Sequence, residues 1–191
     1  TRRDLSQLYD VRHALEPLAA AEAAARATPA DIATLREIAA NSFAIVREIA
    51  ASPARHATPA QMSRWLEDEQ RFHEVLFQAA GNRWLSKIAA DLKLLAFGFS
   101  PQRRMPEFLT VAAAVQTWRG HRRLIRALAT RDGQLAAATT AEHVARGKEE
   151  VLSHLNGHDQ VRTGPVRKPI ADARSGRNRP GGRPGASPSS S

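Results

Sequence analysis

Glu69 and His73 stand one helical turn apart in the segment Met62–Phe77, on the stripe that a helix there would bury. That stripe runs Met62, Leu66, Glu69, His73, Leu76 and Ala80, so two ionisable groups take places whose neighbours above and below are apolar. A carboxylate in such a place is costly unless a partner or a cation compensates it. Spacing of four lets both side chains reach one ion. Two further histidines have the same inward character: His121 lies between Trp118 and Ile125, and His143 shares a face with Ala136, Thr140, Gly147 and Val151. Imidazole and carboxylate suit a divalent ion, zinc foremost, with nickel, manganese or iron also within their range. Glu69, His73, His121 and His143 are therefore the candidate metal ligands, and coordination places would remain for water or a small acid. The same residues admit a metal-free arrangement, with core histidines bonded to backbone carbonyls and Glu69 paired with Arg12 or Arg122.

Helices must bring these groups together. Asp4 to Arg26 reads as helix with Leu8, Val11, Leu15 and Leu18 on one face, and Pro17 predicts a kink or two abutting helices. Thr28-Pro29 and Thr58-Pro59 are each a cap followed by a first-turn proline, opening a helix to about Ala51 and the helix that carries Glu69 and His73. Gly81 stops the latter, and Asn82 caps the next, Arg83 to about Phe99. Ser100 to Pro106 is a connector. A long helix with stripe Val111, Ala114, Trp118, His121, Ile125, Leu128 follows, then the turn Asp132-Gly133 and a last helix from Gln134 to about Leu155. Trp65, Trp84 and Trp118 are expected in the core or a cavity wall. No strand-type alternation occurs. The expected fold is all-α, an antiparallel bundle of six to seven helices over residues 1–156.

Beyond Asn156 the chain fills with Pro, Gly, Ser and Arg, and residues 157–191 are expected to be a disordered basic tail. The formal charge of +9 is divided between a tail of +5 and a body of +4, so the tail inflates the basic balance. With no cysteine there is neither a disulfide framework nor a thiolate metal site. No apolar run reaches membrane-spanning length and no signal peptide is visible, which leads us to expect a cytoplasmic protein without membrane contact.

The order of segments resembles the FadR-type C-terminal effector-binding domain (FCD) of GntR-family bacterial transcription regulators. Four blocks carry the likeness: Leu8-Tyr9-Asp10-Val11-Arg12-His13-Ala14-Leu15-Glu16-Pro17-Leu18-Ala19; Glu69-Gln70-Arg71-Phe72-His73 followed by Ala79-Ala80-Gly81-Asn82; His121-Arg122-Arg123-Leu124-Ile125-Arg126-Ala127-Leu128 with Asp132; and Ala141-Glu142-His143-Val144. Where the family usually has Asp as its acidic ligand, this chain has Glu69, one methylene longer. The resemblance implies a homodimeric sensor of a small carboxylate, with a winged-helix DNA-binding domain upstream of Thr1 and DNA contacted only through it. It also puts Arg12 near the effector cavity, where a guanidinium could hold an organic acid through paired hydrogen bonds. Arg12 could instead form a salt bridge with Glu16, one turn on.

Two other functions compete. A helical-bundle metalloenzyme would need Glu-x-x-His units in duplicate, a His-Glu-x-x-His motif or a nucleophile set, and none is present, so no catalysis is expected. A metal-free helical domain binding nucleic acid through Arg177, Arg179 and Arg183 of the tail is the other alternative.

Overall fold

Two threonine–proline pairs set the start of two helices. Thr28 and Thr58 each accept a hydrogen bond from the backbone N–H three residues on, and Asp31 and Gln61 reach back to the threonine N–H, completing reciprocal capping boxes. The computed structural model describes residues 2–99 and 101–162, with side chains for 2–91 and 103–153. Within these lie six helices: α1 (Arg2–Arg26), α2 (Pro29–Ala51), α3 (Pro59–Ala79), α4 (Arg83–Phe99), α5 (Val111–Ala129) and α6 (Gly133–Arg162). Two short 3-10 turns, Pro101–Arg104 and Pro106–Phe108, fill the connector before α5. Gly81 turns the chain between α3 and α4 with φ +65°, and Asn82 then accepts from the N–H groups of Trp84 and Leu85.

Three expectations need correction. First, α1 is a single helix through Pro17, not two abutting ones. Proline there removes one bond, to the carbonyl of His13, and His13 is exposed, so water can take that place. Second, of the expected inward face of α1 only Leu8 and Leu15 pack against the core, half-buried; Val11 and Leu18 do not. Leu5, Tyr9, Glu16, Ala19, Ala20, Ala23 and Ala24 are the buried residues, while Val11 and Leu18 are exposed at 42% and 48%. Alanines let α1 approach its neighbours closely, above all α6, its most extensive contact. Third, α6 continues past Asn156-Gly157 to Arg162. A glycine inside a helix costs only about 1 kcal/mol relative to alanine, too little to end it alone. Of the tail expected at 157–191, residues 163–191 lie outside the described residues.

The core falls into three clusters. The largest joins Ala19, Ala20, Ala23 and Ala24 to Leu35, Ile38, Phe72, Leu76, Leu124 and Leu128. A second holds Ile45, Ile49, Met62, Trp65, Leu66 and Leu109, and a third holds Leu5, Tyr9, Val144 and Val151. A hydrogen bond from Ala57 N–H to Leu109 O (3.0 Å), and another from Val111 N–H to Arg55 O (3.3 Å), fasten the loop before α3 to the start of α5. That clasp fixes α3 and α5 relative to each other. Both carry site residues.

Candidate metal centre

Helix α3 delivers Glu69 and His73 on successive turns, α5 delivers His121 and α6 delivers His143. One ligand atom from each of the four lies within 4.8 Å of every other. His121 Nε2 stands 3.7 Å from Glu69 Oε1, and His143 Nε2 stands 4.0 Å from Glu69 Oε2. The imidazole centroids are 5.2 Å apart for His121 and His143, 5.9 Å for His73 and His143, and 6.4 Å for His73 and His121. His121 and His143, 52 and 74 residues beyond Glu69 along the chain, thus lie beside it.

Burial makes this cluster unusual. His121 is 2% exposed, its ring stacked 3.8 Å from Phe72 at 10°, and neither ring nitrogen has a hydrogen-bond partner among the described residues. Glu69 Oε1 is likewise buried and unpartnered. Burial pushes the Glu69 carboxyl up to about 8, against the pull of Arg12. Burial, then the neighbouring His73, pushes His143 down to about 3. His121 falls well below its ordinary value for the same first reason, with His143 and His73 adding to it. Imidazoles held neutral at His121 and His143, with both His121 nitrogens unpartnered beside an acid oxygen without a donor, belong to the donor set a divalent ion accepts. The residues present therefore fit a metal.

A fifth ionisable group completes the site. Glu16 is 4% exposed, with Oε1 accepting from Arg12 Nε at 2.6 Å and Oε2 lying 3.3 Å from His73 Nδ1. Burial alone would raise its carboxyl, but Arg12 and His73 together hold it below the ordinary range. Glu16 entered the sequence reading only as a possible partner of Arg12. The signal for more was present, because Glu16 lies four residues from Arg12 and shares its face. The face had been mis-set by the larger Val11 and Leu18. Arg12 does make the salt bridge with Glu16, and its guanidinium also sits 4.9 Å from the Tyr9 ring centroid. Neither Arg12 nor Arg122 is the close partner of Glu69; Arg122 lies over Trp118 instead.

Arg12, Glu16, Glu69, His73 and His143 all line one cavity of about 210 Å³, whose remaining wall includes residues from all three core clusters. His121 is not on that wall; Phe72 covers it. Of the three tryptophans, Trp65 is buried and lines the cavity, and Trp118 is half-buried and stacks on Phe43 at 4.4 Å. Trp84 corrects its expectation: it is 60% exposed on the first turn of α4, with Arg83 against its ring.

The sequence model of the FCD domain matches residues 7–146, well over half of the chain. This chain belongs to the FCD family. The match ends three residues beyond His143, so it takes in all four candidate ligands and Arg12. FCD domains are the effector-binding, regulatory C-terminal domains of GntR-family regulators; they bind small molecules and are often dimeric. None of the curated proteins compared with the chain matches it. Among the described residues no helix is long and apolar enough to cross a membrane.

Proposed function

We propose that this FCD domain senses a small organic acid at a divalent-metal centre and passes the result to DNA through the dimer of a GntR-type regulator. The observation that carries the reading is the meeting of Glu69, His73, His121 and His143 within 4.8 Å, beside a cavity that Arg12 also lines. Zinc is the ion we favour for three imidazoles and one carboxylate, with nickel, manganese or iron as alternatives. Bound there, the ion would supply a fixed positive charge for a carboxylate oxygen. Glu16 borders the site: its Oε2 stands 3.3 Å from His73 Nδ1, a carboxylate placed to steady that ring beside the ion. Arg12 orients the acid. Its Nε is engaged by Glu16 and its guanidinium also meets Tyr9, and its charge on the cavity wall would draw a carboxylate.

A homodimer with upstream winged-helix domains is the family architecture through which such binding would act. The acid must favour one arrangement of the two DNA readers over the other, since a ligand indifferent to both shifts nothing. Elemental analysis of the purified protein, beside a His73→Ala, His121→Ala double variant, tests the centre. Near one equivalent of metal in the parent and almost none in the variant is expected. A parent that holds no metal and takes up none on titration would overturn the reading.

A further inference from the structure

We propose that the acid this cavity takes is a monocarboxylate with an apolar body, not a dicarboxylate or a polyhydroxy acid. The inference rests on the metal reading above and adds the chemical class of the ligand.

Charge sets the head group. At the polar end of the cavity the carboxylates of Glu16 and Glu69 face the single guanidinium of Arg12. With neutral imidazoles and a divalent ion in place, one positive charge is left to be met. One carboxylate meets it. A second would enter a low-dielectric site uncompensated, which is costly. Glu150, which also lines the wall, is a further carboxylate and adds no positive charge to the cavity.

The wall sets the body. Met62, Trp65, Leu66 and Leu109 of one core cluster line the cavity, as do Leu5 and Val151 of another. Uncharged hydrogen-bonding side chains on the wall are few, and the amide of Gln70 is already donated to Glu74 at 2.9 Å. The hydroxyls of Tyr9 and Thr117 are on the wall too, but a polyhydroxy acid carries more hydroxyl groups than these can serve, and the rest would lose water without gaining partners. The volume of about 210 Å³ compares with the about 10–15 Å³ that one water requires, so the space far exceeds an acetate bound at the ion. Apolar groups fill it best.

The test uses the whole purified chain. Zinc is titrated first, by calorimetry. Acetate, butyrate, hexanoate and octanoate are then titrated into the zinc-loaded and zinc-free protein, beside succinate, citrate and gluconate. Trp65 reports location through its fluorescence, with Trp65→Phe as control. We expect affinity to rise roughly fourfold per methylene added, levelling off when the cavity is full. Removing zinc should weaken the whole series by one common factor and leave the slope unchanged. The three polar acids should bind more weakly than hexanoate, and Trp65→Phe should lose the fluorescence change. If zinc does not bind, the metal reading falls and the charge count with it. If zinc binds but the series is flat, or succinate or citrate outbinds hexanoate, only this inference falls. A fluorescence change that persists in Trp65→Phe places the acid elsewhere and overturns it too.

Discussion

A carboxyl held near 8 keeps its proton at neutral pH until something displaces it, and Glu69 is in that position. The folded chain therefore holds a proton that the unfolded chain, with an ordinary carboxyl of 4.5, has released. Stability from this group is complete below 4.5 and declines as pH climbs towards 8. His121 and His143 act oppositely: their lowered values make stability rise with pH, but only up to the ordinary 6.5, where both states are neutral. Above that the Glu69 contribution stands clear. The metal-free domain should thus lose stability between about pH 6.5 and 8, by on the order of 1 kcal/mol per pH unit at most, and Glu69→Gln should flatten the decline in thermal melts. Zinc affinity should move the other way, strengthening by up to about tenfold per pH unit until about 8, with close to one proton released per ion in calorimetry across buffers. Arg12 gives a second expectation at this scale. Arg12→Ala leaves the Glu16 carboxylate buried with its main cation gone, and should cost about 3 kcal/mol in denaturant unfolding. Arg12→Lys should recover part of that stability but not the planar grip on an acid.

Helices decide which residues can take part. Thr58 begins α3, and the first turn it caps is clasped to α5 through the loop before it. Thr58→Ala should cost about 1 kcal/mol, read as a lower urea midpoint with an unchanged slope. Gly81 ends α3 at φ +65°, and a Cβ there would stand 3.2 Å from Arg26 Cδ, so Gly81→Ala should cost about 1–2 kcal/mol. These starts and stops were legible because each rests on a local bond between residues three or four apart. The inward faces of α3, α5 and α6 were legible too, since Leu66, Leu76, Ile125, Leu128 and Val151 mark them with bulk. Helix α1 was not. Its inner face is mostly alanine, which gives a weak hydrophobic contrast, and the larger Val11 and Leu18 point outward. That error of rotation is the reason Glu16 was missed. The distances between ligands were beyond any sequence pattern, because they depend on how three helices cross.

At the scale of the molecule, the centre adds a polar tie between α3, α5 and α6, helices that the largest core cluster already joins. An ion bound by α3, α5 and α6 should stabilise the folded chain by about 2.7 kcal/mol at a hundredfold excess over Kd. A melting temperature that does not change with zinc concentration would contradict this. The cavity exists because the three apolar clusters do not merge, and the polar residues occupy the place where they would have met. Fold and site are thus two aspects of one packing arrangement.

The ligands are spread unevenly in time as well as in space. During synthesis Glu69 and His73 leave the ribosome first, His121 some fifty residues later, and His143 later still, on α6. The pocket for the ion is incomplete until α6 docks against α1. Metal capture can then act as a mark of completion: truncated or stalled chains lack it, and only a finished domain becomes able to respond to its acid.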